Sequence, residues 1–437
     1  MSMYEITGGS PVSGEITCNG TKNFVTKAIV ASLLADGTTT ITNVPAIGDV
    51  DITLEMVSSI GASVDFDRKT GVLKINPETI NTSEVQTPDS GRNRIPILLL
   101  SPLLHRFGKA SVPALGGCDI GARKVDFHSA AIEHFGASIR QEKRGFFASV
   151  ESKITGAKID LPYPSVGATE TCLMMGVLAK GTTVITGAAI EPEIHELITM
   201  LRSMGGIIFI EPDRKIIIEG VEKLYPTKIH AFGDRIEAAS WACLACASDG
   251  SIVVKGFRPD TLANFLPHFQ KVGGGFEVLD QYSVRFFRRE KKLRATMIET
   301  DVYPGFSTDW QQPFAILLSQ AEGMSVIHET VYEKRFGYLK ELAVLGLKAE
   351  LTTYDLGKPS RFANMGFEIS AIINGPTPLH SVDRLDVPDL RAGLAYVIAA
   401  AIAQGTTKLG KIENIERGYG DLSERTKGLS LNLKKIT

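Results

Sequence analysis

A cysteine lies between glycines in this 437-residue chain, and charged side chains follow it closely. The segment GGCDIGAR occupies residues 116–123, so Cys118 precedes Arg123 by five positions. Glycines give a loop backbone angles that other residues avoid, and they let it approach a ligand closely. A thiol on such a loop can reach a bound ligand, which a thiol packed in a core cannot. The alternative is a surface loop with an incidental cysteine.

The cysteine count favours a free thiol at this position. The chain has five cysteines, an odd number without compact spacing, which argues against a disulfide scaffold and for a reducing compartment. Cys243 and Cys246 form a CxxC pair within a predicted helix, without a second such pair or a nearby histidine. We therefore predict packed thiols there, with no metal or redox role. His128 and His195 are predicted to be structural.

Composition excludes several classes of protein. With 43% hydrophobic and 22% charged residues, the chain is typical of a globular protein of two or three domains. The N-terminus lacks a basic segment followed by an apolar one, and the longest apolar stretches, residues 95–104 and 395–403, are too short to span a bilayer. We expect a cytoplasmic protein without a membrane partner. A net charge of −2 gives no general attraction to nucleic acid, so anions must be bound by a local cluster.

An internal repeat must position these residues. Six times, an apolar helical stretch ends in a glycine and passes directly into a β-branched run, with spacings of 71, 73, 69, 73 and 82 residues. These first glycines are Gly37, Gly108, Gly181, Gly250, Gly323 and Gly405. A second helix follows each run and ends near Gly61, Gly136, Gly205, Gly273, Gly346 and Gly428. Each repeat is therefore helix, strand, helix and strands, with glycine in the left-handed conformation that closes a helix.

Three repeats per domain is the simplest division. The first helices are predicted to begin near Lys22, Arg94, Ser165, Asp234, Asp309 and Arg391. The best internal break lies at residues 225–233, which gives one domain at 22–232. Residues 1–21, strand-like at 4–7 and 14–18, are predicted to complete the sheet beside the C-terminal segment, so the second domain combines 1–21 with 233–437. The predicted fold class is α/β, with helices inside and sheets outside.

Seven motifs together resemble the bacterial UDP-N-acetylglucosamine enolpyruvyl transferase family. They are GTKN at 20–23, the Cys118 loop, SVGAT at 165–169, Thr308-Asp309, EKRF at 333–336, DLR at 389–391 and RGY at 417–419. The resemblance covers essentially the whole chain. It implies the two-domain inside-out α/β barrel that this family shares with the shikimate-pathway enolpyruvyl transferase, with three repeats per domain. The repeat count agrees independently.

Mapped onto the repeats, these motifs form an anion trap. Lys22, Arg94, Ser165, Arg235, Asp309 and Arg391 lie at or near the starts of equivalent first helices. The Cys118 loop, Arg335 and Arg417 are predicted at equivalent strand-to-helix turns of repeats two, five and six. Helix N-termini present unpaired N–H groups and partial positive charge, which suits multiply anionic ligands. Phosphoenolpyruvate and a UDP-sugar both fit.

The resemblance also implies roles. Asp309 would be the base that accepts the proton of the sugar 3-hydroxyl. Cys118 would donate a proton to C3 of phosphoenolpyruvate, and Lys22 would be the third catalytic residue. Phosphoenolpyruvate and its phosphate would be held by Lys22, Arg94, Arg123, Arg391 and Arg417. The sugar nucleotide would be bound by Asn23, Arg94, Arg123, Lys124, Val125, Asp126, Phe127, Ser165, Val166, Gly167, Asp309, Val331 and Arg335. The resemblance implies that the protein needs no metal and no cofactor. It also implies a role in peptidoglycan synthesis and sensitivity to the epoxide fosfomycin.

Alternatives remain open at this point. Ser307-Thr308-Asp309 before an apolar helix is also a plain N-cap sequence, although one of the three can cap and leave Asp309 for catalysis. The chain departs from the family at Lys124, where proline is usual, and at Tyr163, where lysine is usual. Further departures near the sugar and phosphate ends, expected to tune the acceptor, are Arg92-Asn93, Ser307 and Trp310. Transfer to another nucleotide or to shikimate phosphate, and a non-catalytic ligand-binding role, are the competing hypotheses.

Substitution of the loop thiol tests its predicted role. We expect Cys118→Ser to lose most turnover, because serine is a far weaker acid, while still binding the sugar nucleotide. Turnover is measured as phosphate release and binding by calorimetry. Unchanged turnover would remove Cys118 from the mechanism.

Overall fold

The computed structural model describes residues 2–116, 125–390 and 392–437, and these fall into two compact lobes. The first lobe comprises residues 20–116 and 125–231, and the second comprises residues 2–19, 232–390 and 392–437. Each lobe has a hydrophobic core of its own. Cys118, Arg123, Lys124 and Arg391 lie outside the described residues, so their predicted roles stay predictions.

The first lobe is built from three repeats, after two N-terminal strands that belong to the second lobe. Those strands are β1 (Met3–Gly8) and β2 (Ser13–Thr17). Repeat one is α1 (Lys22–Ser32), β3 (Thr39–Thr42), α2 (Gly48–Ser59), β4 (Ser63–Asp67) and β5 (Val72–Asn76). Repeat two is α3 (Pro96–Phe107), β6 (Lys109–Pro113), α4 (Asp126–His134), β7 (Ala137–Glu142) and β8 (Gly145–Val150). Strand β9 (Lys158–Asp160) leads into repeat three, which is α5 (Val166–Gly176), β10 (Thr182–Thr186), α6 (Pro192–Ser203), β11 (Ile207–Glu211) and β12 (Lys215–Glu219).

The second lobe follows strand β13 (Lys228–His230) and repeats the pattern. Repeat four is α7 (Arg235–Ala247), β14 (Ser251–Lys255), α8 (Leu266–Val272), β15 (Gly274–Asp280) and β16 (Ser283–Arg288). Strand β17 (Met297–Glu299) precedes repeat five, which is α9 (Gln311–Leu318), β18 (Gly323–His328), α10 (Gly337–Leu342), β19 (Ala349–Thr352) and β20 (Ser370–Gly375). Strand β21 (Leu385–Asp386) precedes repeat six, which is α11 (Gly393–Ile402), β22 (Gly405–Gly410), α12 (Glu413–Tyr419), α13 (Leu422–Arg425) and β23 (Asn432–Ile436).

The first helices of the repeats form the centre of each lobe. In the first lobe α3 packs on both α1 and α5, and in the second lobe α7, α9 and α11 pack against one another. Every residue of α7 and of α9 is buried. A helix that is buried on every side has to be enclosed by other elements, so the sheets lie outside the helices. This confirms the predicted α/β fold class and its helix-strand-helix repeats.

The sheets share one strand order. Each four-stranded sheet runs from a parallel entry strand to the first, third and second strands of its repeat, as in β9-β10-β12-β11. The sheet of repeat two has three named strands, and Glu84 adds a parallel bridge to Ser111 at the entry position. Strand β1 lies between β22 and β23, so it supplies the third strand of repeat six. Strand β1 therefore lies beside the C-terminal strand β23, whereas β2, which was expected in the same sheet, lies in the sheet of repeat four beside β14.

Ten of the twelve marked glycines have a positive φ, but four of these ten do not close a helix. Gly37, Gly181 and Gly323 lie five residues past the last residue of the preceding helix and Gly405 lies three residues past it, so the prediction holds at six positions. Gly250 and Gly428 lack a positive φ, so the left-handed assignment is wrong for these two. At the end of α7 the left-handed residue is Asp249, with φ 60°. Gly250 is required for a different reason, because a Cβ there would lie 1.9 Å from the carbonyl oxygen of Val12. Gly428 also lies close to the backbone of Glu15, where a Cβ would be 2.5 Å from the carbonyl oxygen.

The second lobe is a circular permutation of the first. In the first lobe β12 ends repeat three and the chain continues into β13, which pairs parallel with β3 of repeat one. In the second lobe β1 takes the place of β12, and β2 takes the place of β13 because it pairs parallel with β14 of repeat four. The two ends of the chain lie side by side, since Met3 pairs with Ile436.

A permuted protein tests this equivalence. We expect a chain that begins at Gly20, joins Thr437 to Ser2 through a short turn, and ends at Asn19 to melt within about 5 °C of the natural chain, because it changes only the connection. The same joined chain opened inside α7, between Ala242 and Cys243, should lose its cooperative transition. Circular dichroism during heating measures both. A loss of more than about 15 °C in the first permutant would contradict the assignment.

Candidate functional site

In the first lobe, Lys22 and Asn23 form the first residues of α1. The Lys22 ammonium lies 3.2 Å from the Asp49 carboxylate, and Asp49 is the second residue of α2. Both side chains are mostly buried, so the pair is shielded from solvent and joins the starts of two helices of repeat one. The sequence did not reveal Asp49 as a partner, because an aspartate in the first turn of a helix is common for its interaction with the helix dipole.

Asn93 links the same region to α3. Its side-chain oxygen accepts a hydrogen bond from the backbone N–H of Ile95 at 3.0 Å, and its amide donates to Asp49 O at 3.4 Å and to Thr53 Oγ1 at 3.3 Å. Asn93 is buried, so it fixes the chain just before α3. The expectation that Asn93 tunes the acceptor stays a prediction.

His128 on α4 and Gly167 on α5 come together near Arg94, which lies two residues before α3. Burial lowers the pKa of His128 to about 3, with a smaller contribution from the charge of Arg94. The imidazole Nδ1 lies 2.8 Å from Thr171 Oγ1 on α5. A Cβ on Gly167 would lie 2.7 Å from the imidazole, so only glycine allows this approach. His128 is neutral and structural, as predicted, and it holds the start of α5 against α4.

Six of the predicted acceptor residues, 125–127 and 165–167, lie at the starts of α4 and α5, two helices that pack together. Val125 and Phe127 are half-buried and Asp126 is exposed at the start of α4. Ser165 caps α5, because its hydroxyl accepts a hydrogen bond from the backbone N–H of Ala168 at 3.3 Å. The structure thus brings together two groups of residues that lie about forty positions apart in the sequence.

In the second lobe, Asp309 lies in a single 3-10 turn, Thr308–Trp310, directly before α9. The Ser307 hydroxyl accepts a hydrogen bond from the Asp309 N–H at 3.3 Å, so serine is the cap and the Asp309 carboxylate is not used for that purpose. This confirms that another member of the Ser-Thr-Asp group can cap. The Asp309 carboxylate instead accepts a hydrogen bond from the guanidinium of Arg335, which is 3% exposed and also donates to Thr308 O at 3.2 Å.

Glu329, which the sequence did not reveal, is a buried hub beside this pair. One carboxylate oxygen accepts hydrogen bonds from Thr308 Oγ1 at 2.8 Å and from the Gln311 amide. The other accepts from the backbone N–H groups of Val331 at 2.7 Å and Tyr332 at 2.9 Å. Four donors compensate a fully buried carboxylate and fix the 329–332 turn against the Asp309 turn. A glutamate at a strand end gives no sequence signal for such a role.

Trp310 is fully buried and packs edge-on against Phe265 and Phe306, so it belongs to the core. Its expected effect on the acceptor stays a prediction. One predicted placement in the second lobe is wrong. Arg417 was expected at a strand-to-helix turn, but it is the fifth residue of α12 and lies in the last turn of that helix. The helix begins four residues earlier than the motif suggested. Arg335 does lie in a turn, two residues before α10.

The remaining sequence-based expectations concern thiols, metals and membranes. Cys243 and Cys246 are free and buried, and burial raises the pKa of both thiols, so the prediction of packed thiols is confirmed. Within residues 2–116, 125–390 and 392–437, no group of three or more His, Cys, Asp or Glu side chains is arranged to hold a metal ion. None of the helices described is both long and apolar enough to cross a membrane.

Comparison with sequences of known proteins gives matches over the full chain. The family model for EPSP synthase (3-phosphoshikimate 1-carboxyvinyltransferase) matches residues 6–425. The UDP-N-acetylglucosamine 1-carboxyvinyltransferase of Protochlamydia amoebophila (strain UWE25) is 44% identical over 444 residues, covering all of this chain and 95% of the relative. That of Chlamydia abortus (strain DSM 27085 / S26/3) is 42% identical, covering 100% and 99%. UDP-N-acetylglucosamine 1-carboxyvinyltransferase 2 of Streptococcus mutans serotype c (strain ATCC 700610 / UA159) is 37% identical over the full length of both chains.

Solved structures share the fold. The enolpyruvyl transferase NikO from Streptomyces tendae superposes with a TM-score of 0.86 at 24% identity, covering 100% of this chain and 99% of NikO. An EPSP synthase from Acinetobacter baumannii superposes with a TM-score of 0.73 at 17% identity over the full length of both chains. At these identities the likeness concerns the fold alone.

The buried carboxylate of Glu170, on α5, is expected to make the stability of the protein depend on pH. Burial raises the pKa of Glu170 to about 7, opposed by Lys27, whose ammonium lies 3.7 Å away on α1, and reinforced by Glu191 and Glu193 at the start of α6. The folded state therefore holds a proton that the unfolded chain releases near pH 4.5. The stability that this proton contributes is complete below pH 4.5 and is lost as the pH rises through about 7.

We expect Glu170→Gln, which keeps the shape and removes the titration, to gain about 3 kcal/mol of unfolding free energy relative to the natural chain between pH 4.5 and pH 8. Urea unfolding at a series of pH values measures the difference. Glu133→Gln on the exposed face of α4 is the control and should show no comparable change. A pH-independent difference for Glu170→Gln would show that Glu170 keeps the same charge throughout this range.

Proposed function

This chain belongs to the EPSP synthase family and, within it, to the UDP-N-acetylglucosamine 1-carboxyvinyltransferases, and from that membership we propose that it transfers the enolpyruvyl group of phosphoenolpyruvate to the 3-hydroxyl of UDP-N-acetylglucosamine and releases phosphate. The observation that carries the proposal is that the match with these enzymes extends through both lobes. The reaction is the entry to peptidoglycan synthesis. The described residues supply a carboxylate for the acceptor hydroxyl and cationic groups for the anionic substrates.

Addition is the first step. The sugar 3-hydroxyl oxygen forms a bond to C2 of phosphoenolpyruvate while Asp309 takes the hydroxyl proton and Cys118 delivers a proton to C3. The Arg335 guanidinium fixes the carboxylate of Asp309, and Glu329 fixes the turn from which Asp309 projects. A base held rigidly by neighbouring hydrogen bonds meets the hydroxyl in one orientation, which is what general base catalysis requires.

Elimination is the second step. The tetrahedral adduct loses a proton from C3 and phosphate from C2, which restores the double bond and leaves the enolpyruvyl ether. Cationic groups stabilise the departing phosphate. We assign the phosphoenolpyruvate and phosphate contacts to Lys22, Arg94, Arg123, Arg391 and Arg417. Lys22 is supported in this role by Asp49, which holds its ammonium at the start of α1.

The acceptor is assigned to a second group of residues. Between residues 22 and 232 it comprises Asn23, Arg94, Arg123, Lys124, Val125, Asp126, Phe127, Ser165, Val166 and Gly167. In the second lobe it comprises Asp309, Val331 and Arg335, which the Glu329 hub joins into one rigid group. We propose the domain boundaries 22–232 for the first domain and 1–21 with 233–437 for the second, and we place the protein in the cytoplasm.

A second candidate function is transfer to a different uridine nucleotide. It is favoured by Tyr163, which is half-buried two residues before the Ser165 cap of α5, where the family usually has lysine. An aromatic ring there can stack on a base or ribose, whereas a lysine pairs with phosphate. Both candidates use the same enolpyruvyl chemistry, so only the acceptor distinguishes them.

An acceptor panel tests the proposal. The purified protein is mixed with phosphoenolpyruvate and, separately, with UDP-N-acetylglucosamine, other uridine nucleotides and shikimate 3-phosphate, and phosphate release is recorded. We expect release with UDP-N-acetylglucosamine. Release only with another uridine nucleotide would support the second candidate, and no release with any acceptor would reject enolpyruvyl transfer.

The base is tested on the same assay. We expect Asp309→Asn to lower kcat by about 100-fold or more, because an amide cannot accept the hydroxyl proton, while UDP-N-acetylglucosamine still binds in calorimetry. Asp260→Asn is the matched control, since Asp260 also pairs with an arginine, Arg258, in a 3-10 turn of the same lobe. It should keep full activity. An Asp309→Asn enzyme with the same kcat as the natural chain would assign the base elsewhere.

A further inference from the structure

Repeat five contains a loop that the other repeats lack. Strand β19 ends at Thr352 and β20 begins at Ser370, which leaves seventeen residues, 353–369, between the second and third strands. The same connection in repeats one to four has two to four residues. This repeat-five loop accounts for the largest of the spacings between the repeat glycines, 82 residues against 69 to 73. A connection of this length inside a repeated fold is an addition with a use of its own.

The base of the repeat-five loop is anchored by buried polar groups. His328, at the end of β18, is fully buried, with Nε2 2.8 Å from Lys358 O and Nδ1 2.8 Å from Ser370 Oγ. The Glu299 carboxylate accepts the Lys358 N–H at 2.7 Å and pairs with its ammonium at 3.0 Å. A Cβ on Gly357 would lie 2.3 Å from this carboxylate, so the loop passes as close as glycine permits. The loop is therefore a built element of the lobe.

The far part of the loop reaches the acceptor group. The Arg361 guanidinium donates a hydrogen bond to the backbone carbonyl of Val331, the residue whose N–H is held by Glu329. It also lies over the ring of Phe362 at 4.7 Å, and Phe362 packs edge-on against Phe367. This packing limits the positions that the guanidinium can take. Val331 is thus fixed at its N–H by the core and at its carbonyl by the repeat-five loop.

We propose that Arg361 is a positioning residue for the acceptor and that the repeat-five loop is a specificity element of this enzyme, an inference that rests on the proposed function. A backbone carbonyl has two lone pairs. The Val331 carbonyl can accept one hydrogen bond from Arg361 and offer the other to a hydroxyl or amide N–H of the bound sugar. Arg361 sets the direction of that carbonyl, so it acts on acceptor binding through Val331 and not on the reacting atoms.

Steady-state kinetics with both substrates test this role. We expect Arg361→Ala to raise KM for UDP-N-acetylglucosamine about fivefold to twentyfold, while KM for phosphoenolpyruvate stays within about twofold, because one charge-assisted hydrogen bond is lost on the acceptor side. Arg361→Lys can still donate to the carbonyl and should recover part of the affinity. Both Arg361 variants keep the contacts of His328 and Glu299 with residue 358, so we expect the repeat-five loop to stay folded.

Lys358→Ala is the matched control. Lys358 is the other cation of the loop whose contacts are described, and its ammonium pairs with Glu299 and Asp301 rather than with Val331. It should leave both KM values within about twofold. An unchanged acceptor KM in Arg361→Ala, an equal rise in both KM values, or an equal effect of Lys358→Ala would each overturn the proposal.

Rejection of the proposed enolpyruvyl transfer can be distinguished from rejection of the role of Arg361. If the natural chain releases no phosphate with UDP-N-acetylglucosamine, the proposed function is rejected before any variant is compared. Calorimetry with UDP-N-acetylglucosamine alone then judges Arg361 separately. Weaker binding by Arg361→Ala than by Lys358→Ala supports the positioning role, and equal binding rejects it.

Discussion

Each lobe must enclose the first helices of its three repeats, and this requirement sets the arrangement of its other helices and sheets. Helices α7 and α9 are buried at every residue, so each must be covered on all sides by other helices and by sheets. A short repeat cannot do this alone, and three repeats per lobe bury one another's helices. The polar residues that begin these helices cannot be covered in the same way. They lie at the ends of the helices, and the proposed chemistry is assembled from them.

Buried polar groups hold those helix ends in place. In the first lobe Asp49 and Asn93 join the start of α1 to the starts of α2 and α3, and His128 joins α4 to α5. In the second lobe Glu329 joins the Asp309 turn to the 329–332 turn. Each of these groups is buried and compensated by hydrogen bonds, so its removal would cost more than the loss of one contact. None of them has to touch a substrate to matter for the proposed reaction, because they set where the reacting side chains lie.

Two departures from the regular repeat show which features the packing requires and which it does not. The second lobe borrows its last strand from the N-terminus without any change in strand order, so chain connectivity is free to vary where packing is kept. The seventeen-residue loop of repeat five is a departure of another kind. It adds no strand to the sheet and little to the core, yet it is anchored by a fully buried histidine and extends to the Val331 carbonyl. An addition that packing does not require is the place where a binding preference can be built.

Local sequence patterns were sufficient to predict the periodic parts of this protein: the six repeats, the α/β class, the approximate starts of the first helices and the place of the first strand beside the C-terminal segment. These follow from apolar spacing and glycine positions, which are local properties. Family motifs supplied the roles of Cys118, Asp309 and Lys22, which remain to be tested. The tertiary fold placed Ser307 and not Asp309 as the cap, Trp310 in the core and Gly250 at a close backbone approach. It also brought Asp49, Glu329 and Arg361 into contact with residues of the proposed site. The partners of a buried charge or a cap lie far along the chain, and no local pattern records which of them the fold brings within hydrogen-bond distance.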